Sequence, residues 1–279
     1  MSSRAHTVCA GGKRAASRRP RGAGLAFPAI CALLFVASVA ATLAASASMS
    51  SMGELPMPGG WSMSTMWTRM CGQTWPRAAA SFVGTWTVMT AAMMLPSLVP
   101  MLSRYREAVG MGMRERRLAL LTLLVGVGYF VVWAALGVAV FALGAALATA
   151  ELQWQTFARA VPATAGLVVL LAGALQFSKW KMHHLICCRA TPELAADAGT
   201  AWRYGLCIGI RCGCCCAGLT AMLLVIGMMD LRMMALVTAA ITGERVAPDG
   251  ARFAQVVGVF AIGGGLLLIA QAASGASGG

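Results

Sequence analysis

The sequence predicts an all-α fold, a polytopic transmembrane helical bundle with six or seven spans, on three observations. Of 279 residues, 59% are hydrophobic and only 11% charged, where an average soluble domain has about 45–50% and about 25%. The mean hydropathy is +0.74. The apolar residues gather into several long runs, which excludes a soluble enzyme with one anchor. The formal charge of +13 comes largely from clusters beside the apolar runs. That placement is the cytoplasmic bias of multi-pass membrane proteins and excludes nucleic acid as the expected partner.

Residues 1–24 read as a disordered, basic cytoplasmic tail, because Arg4, Lys13, Arg14, Arg18, Arg19 and Arg21 stand there without an acid or an apolar period. Residues 25–47 read as the first span. The Ala-Ser-Ala near residue 47 also resembles a signal cleavage site, so whether this segment is removed stays open. Residues 48–77 read as a Met-rich external loop, residues 78–272 as the main membrane domain and residues 273–279 as a flexible tail.

Within the membrane domain, apolar runs at residues 78–102, 118–148, 204–229 and 253–272 are long enough to cross a bilayer, and 161–177 sits at the short limit. The eleven residues of 233–243 span only with help from their flanks, giving seven spans or six plus a re-entrant piece. Basic residues follow the second span (Arg104, Arg106, Arg114, Arg116, Arg117) and the fourth (Lys179, Lys181, Arg189, Arg203), so both loops read as cytoplasmic. The expected location is a bacterial inner membrane, with the N-terminus inside. Tryptophans near the span ends read as interfacial anchors.

Ordinary catalytic chemistry finds no home. The nine carboxylates fall in loops or at span ends, and neither a glycine-rich phosphate loop nor a nucleophile elbow is present. Sulfur stands out instead, with 19 Met and 10 Cys. Thioether and thiolate ligands select copper(I), and thiolates also take zinc.

Four places carry the sulfur. In the external loop, Met63, Met66 and Met70 share a face if helical, although methionine also packs as an apolar gap-filler. In the second span, Met89 and Met93 at i and i+4 place two sulfurs on one side with Met94 beside them, and Pro96 and Pro100 interrupt the ladder below. Core packing explains these residues equally well.

The fifth span holds Cys207 and then Cys212, Cys214, Cys215 and Cys216. Cys212 and Cys216 stack at i and i+4, beside Gly205, Gly209 and Gly213, which admit a close neighbouring helix. The plainer reading is small-residue packing, since a thiol also behaves as a small apolar group. Arg211 holds a thiolate or snorkels toward the interface. In the cytoplasmic loop, His183 with Cys187 and His184 with Cys188 are both spaced i and i+4, a mixed set suited to zinc or copper.

These residues carry a resemblance. Over residues 86–268 the chain resembles the bacterial predicted metal-binding integral membrane family, domain of unknown function 2182. Trp86 with Ala92, Met93, Met94, Leu95 and Pro96 matches its Ala-Met-Met-x-Pro stretch, and Gly128, Tyr129 and Trp133 match a Gly-Tyr-x-x-x-Trp span start. Cys212, Cys215, Cys216 and Met222 match its Cys-x-x-Cys-Cys-Trp and following Met, with Cys214 for Gly and Ala217 for Trp. His184, Cys188 and Arg189 fall on a Cys-x-x-x-Cys-Arg-x-Pro loop whose first ligand is changed and whose Pro is delayed to Pro192. Glu244, Arg245 and Pro248 resemble the closing Glu-Lys-x-x-Pro segment. The resemblance implies a class and a metal, not a mechanism.

The expected function is binding and handling of a soft metal, copper(I) first and zinc second, without catalysis. The expected partners are the lipid bilayer, the metal ion and a soluble metal donor or acceptor. Two rivals stand beside it: a membrane thiol-disulfide oxidoreductase, which needs an exposed external Cys pair, and a structural subunit without metal.

Overall fold

The computed structural model describes residues 26–50, 54–57, 61–64, 67, 72–189, 195–228 and 230–277. Its helices are α1 (Ala26–Ser50), α2 (Trp75–Val109), α3 (Glu115–Gln153), α4 (Gln155–Leu175), α5 (Lys179–Arg189), α6 (Ala198–Ile226), α7 (Leu231–Val246) and α8 (Gly250–Ser277). Six of them, α1, α2, α3, α4, α6 and α8, are long and apolar enough to cross a membrane. The protein is an all-α polytopic bundle. The sixteen residues of α7 rise about 24 Å, short of the roughly 30 Å hydrocarbon core.

Two departures from expectation concern local structure. The short apolar run at 161–177 belongs to a helix that begins earlier, at Gln155, and holds Pro162 inside it. Similarly, α2 continues through Pro96 and Pro100 without a break. In a lipid setting, neighbouring helices and hydroxyl side chains stabilise such proline positions, and Ser97 Oγ donates to Met94 O at 3.0 Å beside them.

The segment between α1 and α2 contains β1 (Glu54–Met57) and β2 (Trp61–Ser64), an antiparallel pair with Leu55 opposite Met63. Met63 is thus in a strand, not on a helical face with Met66 and Met70. The latter two lie outside the described residues, as does the tail 1–24. The indole of Trp61 donates to Ala158 O at 2.9 Å. Trp67 packs on Phe82, with ring centroids 5.2 Å apart. The two tryptophans dock the loop on α4 and α2 instead of standing as interfacial anchors. Trp75, Trp154 and Trp180 are exposed and fit that role.

Local signals set the helix ends. The carboxylate of Asp197 caps α6 by accepting from Thr200 N at 2.9 Å and Thr200 Oγ1 at 2.6 Å. These bonds hold its pKa below the usual carboxylate range. Asp230 caps α7 by accepting from the backbone N of Arg232 and Met233. Between them Gly227, at φ +135°, supplies a turn that a residue with a side chain would strain.

Small residues set the packing. A Cβ on Gly205 would meet Val125 O at 2.4 Å, and one on Gly209 would meet Tyr129 O at 3.0 Å, so the α6 glycine ridge brings its backbone against α3. The ascending order of these contacts makes α3 and α6 parallel. Gly166 lies against Ile269 and Gly258 against Phe177, which makes α4 and α8 antiparallel. Across α2 and α3, Phe82 packs tilted against Phe141 with ring centroids 5.3 Å apart, and Trp86 Nε1 donates to Trp133 O at 2.9 Å. The core therefore sits where α2, α3, α6 and α7 converge.

Candidate metal centre

Cys212, Cys215 and Cys216 project from α6 into that convergence and are nearly or fully buried, at 0, 2 and 0% exposure. All three are unbridged thiols. The close approach of α3 at Gly209 delivers Tyr129, whose hydroxyl lies 2.9 Å from Cys212 Sγ. From α2, Met94 brings its Sδ to 4.0 Å from the same sulfur. From the last turn of α7, Arg245 donates to Cys216 Sγ at 3.4 Å and to Ser97 Oγ at 3.2 Å. A buried thiol cluster thus has a thioether on one side, a phenol on another and a guanidinium on a third.

Among the described residues, no group of three or more His, Cys, Asp or Glu side chains is gathered tightly enough to cage a metal. The centre offers pairs instead. Cys216 interacts with both Cys212 and Cys215, and Met94 adds a soft ligand that a cage of thiolate, imidazole and carboxylate does not count. Such a set matches a soft ion that needs few ligands better than a closed tetrahedral zinc site.

The other expected ligands divide. Cys188 is buried and belongs to the same core cluster as Cys212, Cys215 and Cys216. Burial pushes its thiol up to about 12, so it is a protonated thiol at neutral pH. One residue earlier, Cys187 meets the exposed His183, with Sγ 3.7 Å from Nε2. Both thiols of α5 are buried, but only Cys188 joins the core cluster, while Cys187 lies beside the exposed His183. His184 does not join Cys188 as spacing predicts; its ring stands edge-on to Trp180, 4.7 Å between centroids. Burial, and then the charge of His183, lower the His184 pKa.

Cys207 and Cys214 are only half-buried and lie outside the core cluster, because their positions on α6 turn them away from Cys212. In α2, Met89 and Met93 are buried, but Met94 makes the sulfur contact with Cys212. Met89 instead lines a cavity of about 190 Å³ between α1 and α2, with Thr42, Thr85 and Val88. The α5 helix is held to α7 by a buried ion pair, Lys181 Nζ to Glu244 Oε2 at 2.8 Å.

Sequence reasoning missed two partners of the cluster and the buried ion pair beside it. Arg245, rather than Arg211, is the cation at the thiols; Tyr129 supplies the phenol; and Glu244, read as a span-end carboxylate, is buried with Lys181. Their signal was present only as the closing Glu-Arg segment and the Gly-Tyr span start, with nothing local to join them to the cysteines.

Residues 83–268, about two thirds of the chain, match a family model described as PpoB2, copper chaperone. This segment holds Met94, Tyr129, Cys188, Cys212, Cys216 and Arg245. No curated protein matches, and no solved structure does.

Proposed function

The chain belongs to the PpoB2 family of copper chaperones, and from that premise we propose that it binds copper(I) within the membrane and hands it on, acting as a binding protein and not an enzyme. The observation that carries the reading is the contact of Met94 Sδ with Cys212 Sγ at 4.0 Å in a buried, multi-thiol core. Soft sulfur donors shielded from water suit copper(I) above other common metals. Zinc is the second metal on the same donors. The finer resemblance, to domain of unknown function 2182, rests on motif residues inside the matched segment.

In this reading Cys212, Cys216 and Met94 hold the ion, with Cys215 beside Cys216 and not among the ligands. Cys188 is the next thiol toward α5, and the exposed His183 with the buried Cys187 beside it offers the donor pair from which a soluble acceptor takes it. Met89 and Met93 lie along α2 nearer its start. The external loop, with Met63, Met66 and Met70, collects the ion on the other side. The chain sits in a bacterial inner membrane with its N-terminus inside. Thioethers bind copper(I) more weakly than thiolates, so the order favours inward passage. A thiol-disulfide oxidoreductase would need a thiol pair open to its partners, and the buried positions of Cys212 and Cys216 support the copper reading over it.

The test is Cys212→Ser with Cys216→Ser. Serine keeps the small volume and removes the thiolates. High-affinity copper(I) binding is expected to disappear from the purified protein while helix content and membrane insertion remain. Unchanged copper stoichiometry and affinity would overturn the reading.

A further inference from the structure

We infer that Arg245 sets the charge of the ion this centre accepts, making it a site for a monovalent soft metal and a poor one for a divalent metal on the same thiolates. The inference rests on the copper reading above and goes further, from the kind of donor to the charge of the cargo.

The guanidinium of Arg245 is buried, at 6% exposure, and its polar contacts are Cys216 Sγ at 3.4 Å and Ser97 Oγ at 3.2 Å. Its Nε has no hydrogen-bond partner. The neighbouring Glu244 is turned to Lys181, Nζ to Oε2 at 2.8 Å, and no carboxylate forms an ion pair with Arg245 among the described residues. An arginine stays protonated in a protein, and a buried charge without an opposite charge is costly. The cation therefore lies against the sulfur of Cys216, which becomes a negative charge beside it once that thiol gives up its proton to a bound metal.

The charge balance follows. Each thiol that becomes a ligand gives up its proton. A monovalent ion held by two thiolates leaves one net negative charge, which the guanidinium cancels. A divalent ion on the same two thiolates is already neutral, and the guanidinium then stands beside it as an uncompensated positive charge in a low-dielectric core. At the short distances seen here such a difference is large. A third thiolate would restore balance for the divalent ion, but no three such side chains gather tightly enough among the described residues. Arg245 is thus a positioning and selecting residue, not a metal ligand.

The experiment compares copper(I) and zinc(II) affinity, by chelator competition, in the purified full-length protein and in Arg245→Met and Arg245→Lys. The ratio of copper(I) to zinc(II) affinity is expected to fall about tenfold or more in Arg245→Met and to be largely kept in Arg245→Lys. A folded Arg245→Met protein with the parent ratio would overturn the inference. So would an Arg245→Lys protein that behaves like Arg245→Met, since lysine keeps the charge. The unaltered protein supplies a second measurement should the methionine variant not fold: silver(I) should displace bound copper(I), and cadmium(II), a thiophilic divalent ion, should not. Equal displacement by cadmium(II) would overturn the inference. Failure of the unaltered protein to bind copper(I) at all would instead remove the proposed function.

Discussion

The Tyr129 hydroxyl lies 2.9 Å from Cys212 Sγ across the α3–α6 contact, eighty-three residues apart in the chain. Its position depends on Gly209, where any side chain would press on Tyr129 O. A glycine ridge thereby fixes a polar contact to a thiol that the sequence marks as a ligand. Tyr129→Phe keeps the ring and removes the hydroxyl that shares a hydrogen bond with a buried sulfur. A loss of about 1 kcal/mol in stability is expected, with copper(I) affinity weakened by about tenfold because hydrogen bonds to charged groups are the stronger ones. Denaturant unfolding in detergent and copper(I) competition measure the two effects. Unchanged affinity would show that the phenol serves packing alone.

What the sequence revealed and what it concealed divide along the range of the interactions. The stacking of Cys212 on Cys216 and the glycine ridge beside them are consequences of helical period, read within one span. The choice of Met94 over Met93 is not, because both are buried on α2 and its rotation is set by the helices packed on it, α1, α3 and α7. Arg245 and Tyr129 reach the cysteines from other helices, and no local pattern reports such meetings. The hairpin at Glu54–Ser64 had a local signal in Pro58, Gly59 and Gly60, turn residues between two short segments. The methionine spacing drew attention to a helical face instead.

A second prediction concerns the attachment of α5. Lys181 and Glu244 are 4 and 1% exposed as side chains and paired at 2.8 Å. Removing one partner of a buried pair leaves the other charge uncompensated, at a cost of about 3–5 kcal/mol. Lys181→Met and Glu244→Leu are each expected to destabilise the protein by that order. The joint Lys181→Met, Glu244→Leu protein should recover most of the loss, since an apolar pair of similar volume needs no counter-charge. Unfolding of the four proteins forms a double-mutant cycle. Additive losses would show that the two charges do not support each other. In a Cys187→Ser background, maleimide should also label the buried Cys188 faster in the single mutants than in the joint one, as α5 loosens.

The last prediction separates thioether ligation from packing. Met94 Sδ lies 4.0 Å from Cys212 Sγ, whereas Met93 is equally buried in α2 without that contact. Leucine keeps the apolar burial of methionine at a cost under about 1.5 kcal/mol and has no sulfur. Met94→Leu is therefore expected to weaken copper(I) binding about tenfold, and Met93→Leu to leave it near the parent value. Both should unfold within that small margin of the parent. The methionines between α1 and α2 give a different signature. Replacing Met63, Met66 and Met70 together by Leu should leave copper(I) binding by the purified protein intact, because the Cys212 centre is untouched, while copper accumulation at limiting external metal falls. Raising the external metal should restore accumulation in the triple variant but not in Met94→Leu, since only the second change alters the ligand set of the core. If Met94→Leu and Met93→Leu both bind copper(I) like the parent, the methionines of α2 are packing residues, and the thiols of α6 alone must account for any copper held there.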